Sequence, residues 1–263
     1  MKNLNFRNVL ITGGTSGIGK AFAYSLPEST NIMLLGRNAT AAKKIQNDLS
    51  SESRHVEFFE VDLTSQGQIK KFLEKTSNSK IDLIIHAAGR GYFGSVTDDA
   101  YENQLEIIEL NCVAPILLTK GLLDRLERGA GIIFITSVVG FMPMPYLATY
   151  AASKSAVQNY AEALSEELRG KLKVMIVSPG ATNTAFTQRS GLHPSLTHNA
   201  AGPEEIVRQT WDNYYHKELL VIGKENKKRI LLSKIYPRKI FNKKMGDLIK
   251  SAIKKSDQLK GME

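Results

Sequence analysis

The sequence predicts one α/β domain, a doubly wound parallel sheet with helices on both faces in three α/β/α layers. Short apolar runs alternate with amphipathic helical patterns along most of the chain, which is typical of βαβ units. A glycine-rich turn joins the first apolar run to the first helical pattern. The chain has 263 residues, of which 42% are hydrophobic, and this suffices for one large core.

Seven apolar runs are predicted strands, and helical patterns fill the spaces between them. The strands are Val9–Ile11, Ile32–Leu35, Val56–Val61, Ile81–Ile85, Ile132–Ile135, Lys173–Val177 and Leu219–Ile222. The later helices are Ala39–Leu49, Gln66–Thr76, Tyr101–Leu118, Thr149–Arg169 and Pro203–Tyr215. The first helix precedes Pro27 and is expected to be about a turn short. Residues 1–223 are therefore predicted to form a single domain, followed by a separate C-terminal extension.

The glycine-rich turn lies between the first strand and the first helix, at Thr12–Gly19. Glycines let backbone N–H groups approach a pyrophosphate, and the helix N-terminus supplies positive potential. The spacing is Gly-x3-Gly-x-Gly, which differs from the commoner Gly-x-Gly-x2-Gly. A merely flexible turn is the poorer interpretation because a strand and a helix flank it. The predicted dinucleotide phosphate site consists of Gly13, Thr15, Ser16, Gly17, Ile18 and Gly19.

The end of the second strand, Gly36-Arg37-Asn38, predicts which dinucleotide binds. A carboxylate at this strand end would bind a ribose 2′-hydroxyl, whereas a guanidinium suits a 2′-phosphate. The chain has Arg37 and no acidic residue here, so NADP(H) is predicted over NAD(H). The alternative is that Arg37 is a surface residue at the start of the next helix.

Tyr150 and Lys154 lie four residues apart in a helical pattern, and this spacing places them on one face. A lysine ammonium beside a tyrosine hydroxyl favours the phenolate and lowers the phenol pKa toward the working pH. Such a pair suits proton transfer in alcohol and ketone chemistry. The spacing alone is weak evidence, because the same pair is common on solvated helices.

Several motifs together give the chain a family resemblance over roughly residues 7–190. They are Thr12–Gly19, Asp62, Ala87-Ala88-Gly89, Asn111, Ser137, Tyr150 with Lys154, and Pro179-Gly180. In this order they resemble the short-chain dehydrogenase/reductase family, in its single-domain, NADP-preferring form. The resemblance implies a Rossmann-type fold and hydride transfer between a nicotinamide and a carbonyl or alcohol. Residues 1–223 would then be a dinucleotide-binding catalytic domain.

The resemblance also implies roles for individual residues. Ser137 would polarise the carbonyl, and Tyr150 would be the acid in reduction and the base in oxidation. Lys154 would lower the phenol pKa and hold the nicotinamide ribose, and Asn111 would support a water relay to Lys154. Further cofactor contacts would come from Arg37, Asn38, Asp62, Leu63, Ala87, Ala88, Gly89, Tyr150, Lys154, Pro179, Gly180, Thr182 and Thr184.

Structural interpretations of Ser137, Asn111 and His86 are also possible. Ser137 is also a candidate helix cap, and Asn111, four residues before Pro115, is a candidate for a kink or a buried backbone hydrogen bond. The chain has His86-Ala87-Ala88-Gly89 where the family usually has Asn-Asn-Ala-Gly. A histidine here could be taken for a base, but we favour a packed core histidine.

The region between Ser137 and residue 202 is expected to bind the substrate. Residues 185–202 are polar and irregular, and the resemblance makes them a substrate loop. Phe141, Met142, Met144 and Pro145 are equally candidates for an apolar pocket and for ordinary loop packing.

The C-terminal extension, residues 224–263, holds 13 Lys or Arg and 4 Asp or Glu, which is the whole net charge of +9. Its apolar spacing predicts basic amphipathic helices broken at Pro237. Such helices can dock on the domain or on a second subunit, which we favour, or lie on an anionic membrane. Since residues 1–223 are neutral, no nucleic acid partner is expected.

The sequence thus predicts an NADPH-dependent carbonyl reductase for a ketone or secondary alcohol, with an apolar or lipid-like substrate as one option. A homo-oligomer is expected, and no metal site is predicted. The single cysteine and the short polar N-terminus favour the cytoplasm, with membrane association as the open alternative. Two other functions remain: a non-catalytic nucleotide-binding scaffold, and an epimerase or dehydratase, whose chains usually carry a longer C-terminal domain.

Overall fold

A seven-stranded parallel sheet forms the middle layer of the computed structural model, which describes residues 4–182, 184–191 and 200–260. In chain order the strands are Asn8–Thr12 (β1), Asn31–Gly36 (β2), Val56–Glu60 (β3), Ile81–His86 (β4), Leu126–Ile135 (β5), Lys173–Ser178 (β6) and Leu219–Val221 (β7). They lie in the order β3-β2-β1-β4-β5-β6-β7, and every neighbouring pair is parallel. The predicted fold class is confirmed.

Helices cover both faces of the sheet. They are Gly17–Ser25 (α1), Ala39–Leu49 (α2), Gln66–Lys75 (α3), Tyr101–Ile108 (α4), Ala114–Leu122 (α5), Ala148–Glu167 (α6), Ala185–Arg189 (α7), Pro203–Asn213 (α8), Lys224–Ile235 (α9) and Arg238–Lys260 (α10). A π-helical turn, Glu109–Val113, joins α4 to α5. As expected, α1 is short: it has nine residues and ends before Pro27.

Alternating side chains on the strands build one core on each face of the sheet. Along β1, Val9 and Ile11 pack into one cluster and Leu10 into the other. On the first face Phe22 of α1 meets Trp211 of α8, with ring centroids 5.2 Å apart in an edge-on arrangement. Because both faces are covered, strand residues are buried whichever way they point, which explains the nearly continuous apolar runs.

The fifth strand is the element whose start the sequence did not predict. It begins at Leu126, well before Ile132. Its first residues include exposed Glu127 and Arg128, and Gly129 has a φ of 91°. No apolar pattern marks this segment, because only its later part enters the core.

The C-terminal helices α9 and α10 separate at Pro237, where proline cannot continue a helix. One face of this helix pair is buried: Ile230, Phe241 and Met245 are 8%, 9% and 8% exposed and pack in a cluster with Met142 and other residues before α6. The extension therefore docks on the domain, as favoured. Within the part of the chain that the structure describes, no helix is both long and apolar enough to cross a membrane.

The order of the strands decides where a cleft can form. β1 and β4 are neighbours, while β2 and β5 lie on their outer sides. The chain therefore leaves β1 and β4 in opposite directions, and a crevice opens beyond their carboxyl ends. Residues that follow β1, β4, β5 and β6 all meet at this edge.

We expect Ile133→Ala to lower the free energy of unfolding by about 2–5 kcal/mol, because the lost side chain leaves a cavity in the core. Ile133 is 0% exposed and lies between Ile85 of β4 and Met175 of β6. Urea unfolding followed by the fluorescence of Trp211, the single tryptophan, measures the change.

Val96→Ala is the control, because Val96 is 52% exposed and should change stability by less than about 0.5 kcal/mol. Equal losses in the two variants would contradict the central position of β5.

Candidate active site

A cleft of ≈ 1070 Å³ opens at the carboxyl edge of the sheet. It is lined by most of the predicted site residues, namely Gly13, Thr15, Ser16, Gly17, Ile18, Arg37, Asn38, Asp62, Leu63, Ala87, Ala88, Gly89, Ser137, Tyr150, Lys154, Pro179, Gly180, Thr182 and Thr184. Gly19 and Asn111 lie behind its wall, where Gly19 packs against the Gly13 carbonyl. The structure thus brings the two ends of the predicted site into one cavity.

The glycine turn forms one end of the cleft and packs tightly against the end of β4. Gly13 has a φ of 66°, and a Cβ there would come within 2.8 Å of the Ala88 Cα. Thr12 Oγ1 accepts hydrogen bonds from the N–H groups of Ala87 and Ala88, both at 3.1 Å. The turn therefore stays thin, and the N-terminus of α1 borders the cleft. A backbone cradle without side chains at a helix N-terminus fits a dinucleotide phosphate.

Arg37 stands at the edge of the cleft after β2, between two carboxylates. Its Nη1 atom lies 3.8 Å from Asp62 Oδ2 and 3.3 Å from Glu106 Oε1. Glu106, on α4, also forms an ion pair with Arg90. Glu106 could not be predicted from the sequence, because a single glutamate in a helical pattern resembles any solvated residue.

Asp62 and Asn38 have clear local partners. Burial alone raises the pKa of Asp62, yet hydrogen bonds from the Thr64 N–H and hydroxyl, at 3.0 and 2.8 Å, together with Arg37 hold that pKa below its usual value. The Asn38 side chain caps α2 by accepting a hydrogen bond from the Ala41 N–H at 2.9 Å. Both residues still line the cleft.

Lys154 lies at the opposite end of the cleft and is 5% exposed. Its Nζ atom donates a hydrogen bond to the Ile135 carbonyl at 2.9 Å and is 5.9 Å from the centre of the Tyr150 ring. Burial lowers the pKa of Lys154 from 10.5 to about 8. The amine is thus poised to exchange a proton in the mildly alkaline range.

Tyr150 is partly exposed to the cleft, and its hydroxyl is hydrogen-bonded to the Ser137 side chain. Burial raises the pKa of Tyr150 to about 12, and the Ser137 hydrogen bond only partly opposes this. We expected Lys154 to lower this pKa. The structure differs because desolvation of the phenol is the larger influence, and the Lys154 amine is directed to a backbone carbonyl.

Ser137 follows β5, and its side chain both stabilises the next turn and lines the cleft. Its Oγ atom accepts from the Val139 N–H and donates to the Pro179 carbonyl, both at 3.4 Å. It thereby caps the short 3₁₀-helix Val138–Phe141, as the alternative interpretation proposed. Both contacts are long, and the same hydroxyl reaches Tyr150.

Asn111 is 2% exposed and lies in the π-helical turn, near the kink that Pro115 suggested. Its Oδ1 atom accepts from the Arg90 N–H at 2.8 Å, and its Nδ2 atom donates to the Arg90 carbonyl at 2.7 Å and to Ser153 Oγ at 3.0 Å. The side chain therefore braces the segment after β4.

A small cavity lies beside this brace and behind the cleft. It measures ≈ 10 Å³ and is bordered by Asn111, His86 and Lys154, among others. That volume is close to the minimum for one water.

His86 at the end of β4 is a packed core histidine. Its Nε2 atom is 2.9 Å from Thr119 Oγ1, and its ring stacks on Phe134 at a centroid distance of 4.9 Å. Burial lowers its pKa to about 3, so the ring is neutral at physiological pH. This agrees with the favoured interpretation and not with a catalytic base.

The loop after β6 connects the cleft to the C-terminal helices. A Cβ on Gly180 would come within 2.4 Å of the Asn226 Nδ2 atom, which itself donates to the Ile222 carbonyl at 2.8 Å. The Thr182 and Thr184 hydroxyls lie 3.3 Å apart, and Thr184 borders the glycine turn. This loop therefore spans from the dinucleotide end of the cleft to α9.

The lining of the cleft also includes residues that were not predicted from the sequence. They include Phe93, Phe186, Arg229, Ile249 and Ala252, and the last three come from α9 and α10. The Phe186 ring lies 5.4 Å from the Tyr150 ring. The apolar spacing of the extension predicted docking but not the place of docking.

The apolar candidates before α6 divide between the two predicted roles. Met144 lines the cleft, whereas Met142 and Phe141 pack with the C-terminal helices and Pro145 approaches Gly246. Of the expected substrate loop 185–202, residues 192–199 lie outside the described residues.

A parallel sheet of this order, with a serine, a tyrosine and a lysine gathered at its carboxyl edge, defines an oxidoreductase of the dinucleotide-binding class. The chain belongs to the short-chain dehydrogenase family, whose sequence profile matches residues 7–194. It is therefore an oxidoreductase that acts on CH–OH and C=O groups.

Individual relatives agree with this membership. The chain is 29% identical over 247 residues to dehydrogenase/reductase SDR family member 7B of Mus musculus, covering 87% of this chain and 74% of the relative. It is also 29% identical over 262 residues to 3-ketodihydrosphingosine reductase of Bacteroides thetaiotaomicron, covering 94% and 91%.

Solved structures share the fold at lower identity. A short-chain dehydrogenase from Sphingobium yanoikuyae in complex with NADPH superimposes with a TM-score of 0.77 at 24% identity, covering 88% of this chain and 96% of that one. One from Burkholderia phymatum in complex with NAD gives a TM-score of 0.78 at 18% identity, covering 89% and 95%. Both cofactors therefore occur among proteins of this fold.

The pKa of Lys154 predicts a pH dependence of stability. Between pH 8 and 10.5 the unfolded chain holds a proton that the folded site has lost. The contribution of Lys154 to stability therefore rises with pH across this window. We expect the stability of wild type relative to Lys154→Met to rise by on the order of 2 kcal/mol from pH 8 to pH 10.5, because the methionine variant has no proton to lose.

Urea unfolding at the two ends of this window measures the difference between the proteins. Lys43→Met, at an exposed position on α2, is the control and should show no such change. A constant difference between Lys154→Met and wild type would mean that the amine is not desolvated.

Proposed function

We propose that this protein is an NADPH-dependent carbonyl reductase, reversible as an alcohol dehydrogenase, that transfers a hydride between nicotinamide and a ketone or secondary alcohol. One observation carries the proposal. Ser137, Tyr150 and Lys154 gather at one end of a single cleft whose other end is the glycine turn. A cleft that contains both a phosphate cradle and a proton donor suits a dinucleotide that extends between them.

The residues of the chain supply proton transfer and orientation. The glycine turn and Arg37 would hold NADPH, which would supply the hydride for the carbonyl carbon. The Ser137 hydroxyl hydrogen-bonds the carbonyl oxygen and orients it toward Tyr150. With its pKa raised to about 12, Tyr150 is protonated at neutral pH and gives its proton to the developing alkoxide.

Lys154 and Asn111 are proposed to restore the proton on Tyr150. Lys154 contributes positive potential beside the phenolate, and its pKa of about 8 lets it take part in proton exchange. The small cavity shared by Asn111 and Lys154 supports a relay through one water. Lys154 also borders the cleft where a nicotinamide ribose is expected.

Arg37 supports NADP(H) over NAD(H). Its guanidinium stands at the end of β2, the position of the ribose-binding side chain in such sheets. Glu106 holds the same guanidinium at 3.3 Å, so a 2′-phosphate has to compete with this carboxylate. At neutral pH a phosphate carries nearly two negative charges and a carboxylate carries one, so the guanidinium binds the phosphate more strongly.

The walls of the substrate half support an apolar or lipid-like ketone. Phe93, Met144, Leu147, Phe186 and Ile249 are all among its lining residues. An apolar wall binds an apolar substrate body by removing both from water. The similarity to 3-ketodihydrosphingosine reductase points in the same direction.

We further propose a homo-oligomer that associates through the helices around residues 101–128 and 149–169. Tyr101 and Leu105 on α4 are 74% and 43% exposed and suit a subunit contact. The cytoplasm fits the single cysteine and the use of NADPH. Residues 224–263 are the part of the chain suited to reach a membrane surface.

Tyr150→Phe is expected to lower the rate of ketone reduction by about 10²–10⁴-fold, because it removes the proton donor and little else. NADPH consumption with a panel of ketones of graded chain length measures the rate and reports the substrate class.

Tyr160→Phe on the same helix is the matched control and should retain activity, since Tyr160 packs against Phe134 in the core. Undiminished turnover by Tyr150→Phe would refute the mechanism. NADPH binding by wild type without turnover of any ketone would favour the nucleotide-binding scaffold.

Arg37→Ala should weaken NADPH binding by about 10–100-fold and NADH binding by much less, because only NADPH offers a phosphate to the guanidinium. Dissociation constants from fluorescence titration give the comparison. Lys44→Ala, at an exposed position on α2, controls for a general loss of positive charge. Equal losses for the two cofactors would show that Arg37 does not select the 2′-phosphate.

A further inference from the structure

The outer face of α9 and α10 exposes large apolar side chains. Leu231, Ile235 and Tyr236 are 57%, 67% and 44% exposed, and Ile240 and Leu248 are 49% and 52% exposed. The surface consists of Leu231 and Ile235, one turn apart on α9, with Tyr236 and Ile240, which flank Pro237. We call this surface the elbow, since it surrounds the bend at Pro237.

The elbow is strongly basic. Residues 227–246 contain eight Lys or Arg and no Asp or Glu. Lys234, Arg238, Lys239 and Lys244 are exposed among the apolar side chains. Lys244 also lies over the Tyr236 ring, with its Nζ atom 5.4 Å from the ring centre. Apolar side chains and cations thus alternate over the same surface.

The elbow is not needed for docking on the domain. That contact uses a different set of side chains, namely Ile230, Phe241 and Met245, which are buried. The extension therefore has two sets of apolar side chains, of which one is buried inside the molecule. Exposing the second costs free energy unless something covers it.

The composition of the elbow decides among the possible occupants. A second copy would bring eight more cations against the first, and like charges oppose this contact. A nucleic acid would satisfy the cations but would leave Leu231, Ile235 and Ile240 without an apolar partner. An anionic lipid surface satisfies both, because cations pair with head groups while apolar side chains enter the acyl boundary.

We propose that the elbow binds the surface of an anionic phospholipid membrane. This contact goes beyond the reductase activity and does not depend on it. The same helices supply Arg229, Ile249 and Ala252 to the cleft. Membrane binding therefore holds the substrate half of the cleft close to the lipid surface.

The test is co-sedimentation of the full chain with vesicles of phosphatidylcholine mixed with phosphatidylserine, and with vesicles of phosphatidylcholine alone. Wild type should bind the mixed vesicles, and added salt should weaken binding. Lys234→Glu/Lys239→Glu should weaken it by on the order of tenfold or more. Ile235→Ser/Ile240→Ser, which keeps all charges, should also weaken it, because it removes the apolar contact.

Lys70→Glu/Lys71→Glu on α3 is the matched control: it makes the same change of charge at exposed positions away from the elbow and should bind nearly as well as wild type. Absence of binding by wild type, equal binding to pure phosphatidylcholine, or equal losses in the control variant would each overturn the proposal. So would a change in oligomer mass on Ile235→Ser/Ile240→Ser without vesicle binding by wild type, which would assign the elbow to a second copy.

Turnover of a water-soluble ketone in the same preparations separates this proposal from the proposed function. The elbow variants should keep wild-type turnover, because their substitutions lie outside the cleft. Vesicle binding without any ketone turnover would support membrane binding by the elbow and would refute only the proposed reductase activity.

Discussion

The burial of the Lys154 amine is the constraint on which the site depends. A lysine buried this deeply loses the hydration of its charge, and a hydrogen bond to the Ile135 carbonyl partly replaces that hydration. That hydrogen bond ties the start of α6 to the end of β5. Ser137 follows the same strand and Tyr150 precedes Lys154 by one helical turn, so one contact brings all three functional groups together. The lowered pKa of the amine reflects this desolvation.

The C-terminal helices complete a cavity that the sheet alone leaves open. The sheet edge and its loops supply the glycine turn and the group of Ser137, Tyr150 and Lys154, and α10 adds Ile249 and Ala252 to the lining of the cleft. Their positions follow from the burial of Phe241 and Met245 against the segment before α6. Part of the lining of the cleft thus depends on packing between the extension and the domain.

Features with a strong local signal could be predicted from the sequence. The glycine turn at Gly13, the alternating strands and the break at Pro237 each depend on a few neighbouring residues. Contacts between distant segments could not be predicted. Glu106 reaches Arg37 from 69 residues away in the sequence, and nothing near Glu106 in the sequence marks this contact.

The direction of the Tyr150 pKa shift also could not be predicted from the sequence. A nearby ammonium lowers the pKa of a phenol and desolvation raises it, so the sign depends on distance and burial. Sequence spacing identifies the neighbour but contains neither quantity. In the folded site the desolvation of the phenol outweighs the opposing hydrogen bond of Ser137, and the pKa rises.

The contact between Gly180 and Asn226 couples two regions of the molecule that differ in function. Asn226 occupies the space that any larger residue at position 180 would fill, so the loop after β6 and the start of α9 pack directly against each other. A ligand whose binding tightens this contact strengthens the attachment of the C-terminal helices. By thermodynamic reciprocity, whatever fixes those helices from outside raises the affinity for that ligand by the same factor.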